Sequence, residues 1–203
     1  MKIIEPLSSA LLVTGCVYAA GISQNSALMR FFGINPVFSQ PAIDKIFYDG
    51  GLVTFEIFSH HLVFLFSATL VILPSSLITI AIISSIKGFT FASGINWVTD
   101  KINLAINSTR KLSGLIFLTY LIILTLTAYN KAKDDGDKIA QSFLDTCHKV
   151  IIEKDNKKTE GCAFNKDRDS IWIYTIKGEN FRTSSKPLSE LDQIIYLDPV
   201  EQK

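Results

Sequence analysis

The chain has 203 residues, 48% of them apolar, and a formal net charge of +1 at neutral pH. So small a net charge does not indicate a partner that is recognised mainly by its charge. Basic residues alternate with acidic ones, which argues against a nucleic-acid-binding surface. The apolar residues are concentrated in a few long runs instead of being spread along the chain, which is typical of an integral membrane protein.

Three uncharged runs are long enough to cross a lipid bilayer as helices. The strongest, Leu62–Ser84, has 23 residues, enough at about 1.5 Å per residue to cover a hydrocarbon core of about 30 Å. The run Leu112–Tyr129 has 18 residues. The run Pro6–Ser23 also has 18 but is weaker, because it contains Gly, Ser and Ala. We therefore predict three transmembrane helices.

The first run has a second interpretation. Lys2 followed by apolar residues has the shape of a secretory signal. Val13-Thr14-Gly15-Cys16 resembles the lipobox of bacterial lipoproteins, and that resemblance implies lipidation of Cys16. Glu5 and the apolar residues after Cys16 favour a retained transmembrane helix instead. Both interpretations place the following residues outside the cytoplasm.

Loop charge predicts the orientation. Residues 87–111 carry four basic residues and one acidic residue, whereas the charges in residues 24–55 balance. The more basic loop is expected in the cytoplasm. We predict an integral cytoplasmic (inner) membrane protein with its N-terminus inside and its C-terminal domain outside.

The expected fold class is membrane all-α, with three transmembrane helices and a small α+β extramembrane C-terminal domain. The predicted segments are a first transmembrane helix or signal (1–23), an extracytoplasmic aromatic-rich loop (24–51), a long second transmembrane helix with an outer extension (52–86), a cytoplasmic amphipathic connection (87–111), a third transmembrane helix (112–129) and the extracytoplasmic domain (130–203).

Polar residues precede the strongest run. Gly50-Gly51 is expected to break the chain, so that the second helix starts near Leu52 and projects outward from the membrane. The candidate metal or proton ligands Glu56, His60 and His61 would then lie at its outer end. The remaining histidine, His148, is far away in sequence, and a metal site needs three or four convergent ligands. We therefore expect a polar extension of the helix, with no metal and no cofactor.

The loop 24–51 is rich in aromatic residues, too rich for a free linker. Large apolar surface outside the lipid often marks an interaction site, although sealing the end of a helical bundle would use the same residues. The C-terminal region adds two aromatic residues in a predicted strand. The candidate partner-binding residues are Phe31, Phe32, Phe38, Phe47, Tyr48, Trp172 and Tyr174.

The C-terminal region alternates helix and strand signals. A helical stripe predicts a helix over Asp137–Ile152. The β-forming residues of Ser170–Lys177 predict a strand, which turns at Gly178-Glu179-Asn180 and returns over Phe181–Ser184. Ile194–Leu197 is a third expected strand. Cys147 and Cys162 lie 15 residues apart and are predicted to form a disulfide pinning helix to sheet, because so small a domain needs a staple.

No sequence motif of an enzyme is present, and the three runs contain no Asp, Glu, Lys or Arg, which transporters usually need. We therefore expect a non-enzymatic membrane protein that contacts the lipid bilayer, binds no nucleic acid and binds a protein partner through its outer loop and C-terminal domain. An immunity-type protector against a toxin and an accessory subunit of a membrane complex both fit. The alternative is a channel or ion-conducting homo-oligomer.

Overall fold

The computed structural model describes residues 4–87, 91–177 and 180–201. In this part of the chain, helices α1 (Ile4–Phe31), α2 (Ile43–Lys87) and α3 (Phe91–Asp145) are followed by strands. Short 3₁₀ turns occur at Pro36–Phe38 and Leu188–Glu190. The strands are β1 (Thr146–Cys147), β2 (Lys149–Lys154), β3 (Lys157–Lys166), β4 (Ser170–Lys177), β5 (Asn180–Pro187), β6 (Gln193–Tyr196) and β7 (Val200–Glu201).

Five strands form one antiparallel sheet in the order β5-β4-β3-β2-β6, and β1 pairs with β7 separately. The β2–β3 hairpin turns at Asp155 and Asn156, which have positive φ angles of 50° and 60°. Asn and Asp tolerate this left-handed region better than other residues that carry a side chain. The register of β3 against β4 shifts between Ala163 and Asn165, and this irregularity lies beside the buried polar cluster described below.

The chain divides into two compact units: Met1–Thr54 with Thr125–Lys203, and Phe55–Leu124. Alternate residues of each strand point to opposite faces of the sheet. In the first unit both faces are covered by other parts of the chain. One face packs Cys162, Phe164, Trp172 and Tyr174 against α1 and α3. On the other face, Val150, Ile152, Ile171 and Ile173 are covered by the segment that contains Leu188 and Leu191.

Glycines allow the helices of the first unit to approach closely. A Cβ atom on Gly50 would lie 1.9 Å from the carbonyl oxygen of Val17, and one on Gly21 would lie 2.0 Å from that of Ile46. On α3, a Cβ atom on Gly136 would lie 2.4 Å from the carbonyl oxygen of Gln24. The prediction that Gly50-Gly51 breaks the chain was wrong, because α2 runs through both residues and Gly50 serves helix contact.

Two helices among the described residues are long and apolar enough to cross a membrane, over Ile43–Thr79 and Ser113–Asp145. In the second unit, large apolar side chains such as Phe64 and Phe66 are exposed, as lipid contact would require. Among the described residues, helix α1 is not one of the two, and the first span stays a prediction.

The helix predictions differ from the structure mainly at their ends. Helix α3 is continuous from Phe91 to Asp145, so it joins the predicted connection, the third span and the start of the C-terminal region. The helix expected to reach Ile152 ends at Asp145, because Lys149–Lys154 pairs with both β3 and β6.

The strand predictions agree more closely with the structure. The strand predicted at Ser170–Lys177 is confirmed as β4, and the returning strand lies within β5. The third predicted strand corresponds to β6, one residue earlier than expected. Residues 178–179 of the predicted turn lie outside the described residues.

Candidate partner-binding surface

The connection between α1 and α2 contains a tight turn with two exposed apolar side chains. The Asn35 side chain caps the turn by accepting a hydrogen bond from the Val37 amide at 3.1 Å, and Pro36 occupies the first position of the turn. Proline suits this position because its φ is preset and its missing N–H would have no partner there. Val37 and Phe38 are 79% and 73% exposed. We call these two residues the loop tip.

The residues after the loop tip are fixed to the sheet by one buried carboxylate. Asp167 is 4% exposed. The Ser39 hydroxyl donates to its Oδ1 atom at 2.9 Å, and the Gln40 amide donates to Oδ2 at 3.1 Å. Trp172 Nε1 donates to Oδ2 at 2.6 Å, and Asn165 Nδ2 lies 3.3 Å from Oδ1. Four donors therefore replace the water that this carboxylate would otherwise bind.

A second set of hydrogen bonds extends this cluster to the helices. Asn25 of α1 donates to the Ser39 hydroxyl at 3.2 Å and accepts from Asn165 at 3.3 Å. Lys45 of α2 donates to Asn165 Oδ1 at 2.5 Å. The backbone adds a bond from the Arg168 amide to the Gln40 carbonyl at 3.2 Å. The backbone beside the loop tip is thus held from both helices and from the sheet.

Further exposed apolar residues lie at the start of α2. Ile43 and Tyr48 are well exposed, and Phe47 is about one-third exposed, with its ring 5.9 Å from that of Tyr18 on α1. Of the seven candidate partner-binding residues, Phe38, Phe47 and Tyr48 therefore have side chains available to a partner.

The other four candidates contact their own chain. Phe32, Trp172 and Tyr174 are 1%, 8% and 0% exposed. Phe32 stacks on Phe164 with ring centroids 4.0 Å apart, and the Tyr174 hydroxyl donates to the Phe143 carbonyl. Phe31 packs beside this core and is partly buried. Core packing within the chain therefore already uses the surface of Phe32, Trp172 and Tyr174.

The predicted disulfide between Cys147 and Cys162 is confirmed, with Cα atoms 5.2 Å apart. It joins the short strand after α3 to the middle of β3, and not a helix to the sheet as expected, because α3 ends at Asp145. Both cysteines are buried in the core cluster that contains Phe32 and Tyr174. The third cysteine, Cys16, is a buried free thiol.

Replacing either cysteine of the bridge with serine is expected to destabilise the first unit by about 3 kcal/mol, the value for closing a loop of this length. The tail of Cys147→Ser should become protease-sensitive while the protein stays in the membrane, with Cys16→Ser as the matched control. Mass spectrometry after alkylation, with and without reductant, checks the bridge itself. Full alkylation of both cysteines without reductant would contradict it.

The first unit also contains a cavity of about 200 Å³, partly open to the outside. The buried side-chain oxygen of Gln24 has no hydrogen-bond partner among the described residues. The lining of the cavity therefore combines polar and apolar side chains. It is lined by Gln24, Asn25, Leu28, Lys45, Asp49, Ile139, Phe143 and Phe164.

The weak metal candidates lie in the second unit. No group of three or more His, Cys, Asp or Glu side chains able to hold a metal ion occurs among the described residues. His61 instead lies beside Tyr120 of α3, with Nδ1 3.4 Å from the hydroxyl oxygen and the ring centroids 6.1 Å apart. Sequence inspection missed Tyr120 because it is 59 residues away within an apolar run.

Comparisons of this chain with protein-family models, with curated proteins and with solved structures found no match.

Proposed function

We propose that this chain is a non-enzymatic integral membrane protein that binds a protein partner outside the cytoplasm. The observation that carries the proposal is the rigid, apolar loop tip. Val37 and Phe38 are exposed on a turn whose following residues are tied to buried Asp167. Preorganised apolar side chains bind with less loss of conformational entropy than mobile ones.

The rigidity of the loop tip favours a protein partner over the lipid surface. A lipid surface accepts apolar side chains in many geometries, so fixing their backbone gains little. A protein pocket has one shape, and the buried cluster around Asp167 holds the neighbouring backbone in one geometry. Apolar anchors that fill a pocket supply most of the binding energy at many protein interfaces.

Two features support a membrane protein with its C-terminal domain outside. Two helices are long and apolar enough to cross a bilayer. The Cys147–Cys162 disulfide is consistent with an oxidising compartment. The finer arrangement, with three spans and the N-terminus inside, rests on the sequence run Pro6–Ser23 and on loop charge.

Within this proposal the chain either protects against a toxin, as immunity-type proteins do, or acts as an accessory subunit of a membrane complex.

The loop tip can be tested against another exposed aromatic residue. Phe38→Ala is expected to weaken partner binding about 30-fold, the effect of truncating an interface anchor worth about 2 kcal/mol. Tyr196→Ala is the matched control, because Tyr196 is also exposed in the first unit but lies on the edge strand β6.

The partner for this measurement is found by placing a photo-crosslinking amino acid at position 38, with position 196 as the reference. Proteins crosslinked only from position 38 are identified by mass spectrometry, and their affinity for both variants is measured in detergent. Equal crosslinking from the two positions, or equal affinity of the two variants, would contradict a binding role for the loop tip.

A further inference from the structure

The cavity of about 200 Å³ in the first unit has a preformed apolar lining. Its residues come from α1, α2, α3 and β3. Four apolar side chains line it, and each belongs to the buried core cluster or packs against it: Leu28, Ile139, Phe143 and Phe164. Because core packing holds these side chains in place, a ligand that contacts them does not have to order them first.

Helix α2 adds two opposite charges to this lining. Lys45 and Asp49 both line the cavity, and each is partly buried. The two residues lie four positions apart on the helix, so their side chains leave the same face, with Cβ atoms about 5 to 6 Å apart. In the described part of the chain, however, no ion pair joins Lys45 to Asp49. The cavity therefore presents a cation and an anion that do not neutralise each other by direct contact.

Both charged groups keep hydrogen-bonding capacity for a ligand. Lys45 donates to Asn165 Oδ1 at 2.5 Å, and its ammonium group has further N–H donors. No hydrogen bond to the Asp49 carboxylate occurs among the residues that the structure describes. The Asn25 amide, by contrast, also lines the cavity but is already bonded to Ser39 and Asn165.

The pair of opposite charges indicates the chemical class of the ligand. An amine would match Asp49 but would also meet the like charge of Lys45, and a carboxylate would meet the reverse problem. A small zwitterion carries an ammonium and a carboxylate group close together, so it can pair with both residues at once. An apolar group on the same molecule would contact the core side chains of the lining.

The volume of the cavity limits the size of the ligand. A protein cavity of about 150 Å³ holds benzene, which has six non-hydrogen atoms. In proportion, a cavity of about 200 Å³ holds about eight such atoms. Leucine, with nine, is close to this limit and fits a cavity that is partly open to the outside. A phospholipid head group of similar size would leave the apolar lining without a contact.

We propose that this cavity binds a free α-amino acid with an apolar side chain, such as leucine. Asp49 accepts hydrogen bonds from the ammonium group, and Lys45 donates to the carboxylate. The apolar side chain contacts Leu28, Phe143 and Phe164. This binding goes beyond the proposed partner binding and does not depend on it, since no residue of the loop tip lines the cavity.

Competition against tritiated leucine tests the site on the full-length protein in phosphatidylcholine nanodiscs. We expect a Kd for leucine on the order of 0.1 mM. 3-Methylbutylamine lacks the carboxylate of leucine, and 4-methylpentanoate lacks its ammonium group. Each should bind about tenfold more weakly or worse, because one charge of the protein stays unpaired. The inference is wrong if leucine shows no saturable binding, or if either analogue binds as tightly as leucine.

The substitution Asp49→Asn tests which protein group meets the ammonium group. It should weaken leucine binding about tenfold but should not weaken the binding of 4-methylpentanoate, which has no ammonium group. Asp44→Asn is the matched control, because Asp44 is an exposed carboxylate at the start of α2 and does not line the cavity. If Asp49→Asn weakens both ligands equally, or leucine no more than Asp44→Asn does, the binding mode is overturned.

Phosphoethanolamine distinguishes a free amino acid from a lipid head group. It is also zwitterionic but carries no apolar side chain, so we expect it to compete about tenfold more weakly than leucine or worse. If it competes more strongly, or if phosphatidylethanolamine in the nanodiscs abolishes leucine binding, the occupant is a lipid head group. The inference is then wrong, while the proposed membrane insertion and partner binding stand.

Discussion

Asp167→Ala is expected to lower the free energy of unfolding of the first unit by about 5 kcal/mol. The carboxylate accepts hydrogen bonds from Ser39, Gln40, Trp172 and Asn165 while being almost completely buried. Its removal leaves several buried donors without a partner, each at a cost of about 1 to 3 kcal/mol. That loss is comparable to the whole stability of a small domain.

Pulse proteolysis in urea, performed on the detergent-solubilised protein, measures the effect. Asp169→Ala is the control, because this carboxylate lies two residues away but is exposed, and surface substitutions usually change stability by about 0.5 kcal/mol or less. Asp167→Asn should also destabilise the protein, since the amide presents N–H groups to existing donors. Equal stability of the Asp167 and Asp169 variants would show that the cluster does not hold the loop.

The adjacent glycines of α2 are expected to respond to alanine in opposite directions. In Gly50→Ala the new methyl group would lie 1.9 Å from the Val17 carbonyl oxygen, so α1 and α2 must separate, at a cost of about 3 kcal/mol or more. In Gly51→Ala the nearest atom is the Val17 Cγ1 atom at 3.9 Å, an ordinary contact. Alanine is favoured over glycine inside a helix by up to about 1 kcal/mol.

Thermal unfolding in mild detergent, followed by size-exclusion chromatography, compares these two variants with the parent protein. The two variants carry the same glycine-to-alanine substitution at adjacent positions of α2, so the gain in helix propensity and any effect on expression should be similar in both. Gly50→Ala should unfold at a lower temperature than the parent, and Gly51→Ala at the same or a higher temperature. A stable Gly50→Ala protein would mean that α1 does not pack on α2 at this glycine.

Local signals in the sequence were enough for several parts of this fold. The β-branched and aromatic residues of Ser170–Lys177 predict β4 with its observed ends, because strand propensity and alternation act within a few residues. The hairpin β2–β3 was missed because Lys157–Lys166 is dominated by charged and polar residues at its start and carries little alternation. Residues Lys157–Lys166 form strand β3 because β2 and β4 pair with them on either side.

The candidate site could be predicted only in part. An aromatic-rich loop was visible, but which aromatic residues remain exposed depends on contacts with distant residues. Phe32 is enclosed by the sheet and Phe38 is not. The Asp167 cluster had no sequence signal, since Ser39 and Asp167 lie 128 residues apart and short polar residues are common in loops.

The sequence by itself determined the long uncharged helical runs and the cysteine pair, because helix length, hydropathy and cysteine spacing are local properties of a chain. Only the tertiary structure decided how those runs are aligned. The Ser23–Tyr129 and His61–Tyr120 contacts set the register of the helices, and register depends on which side chains meet across helices.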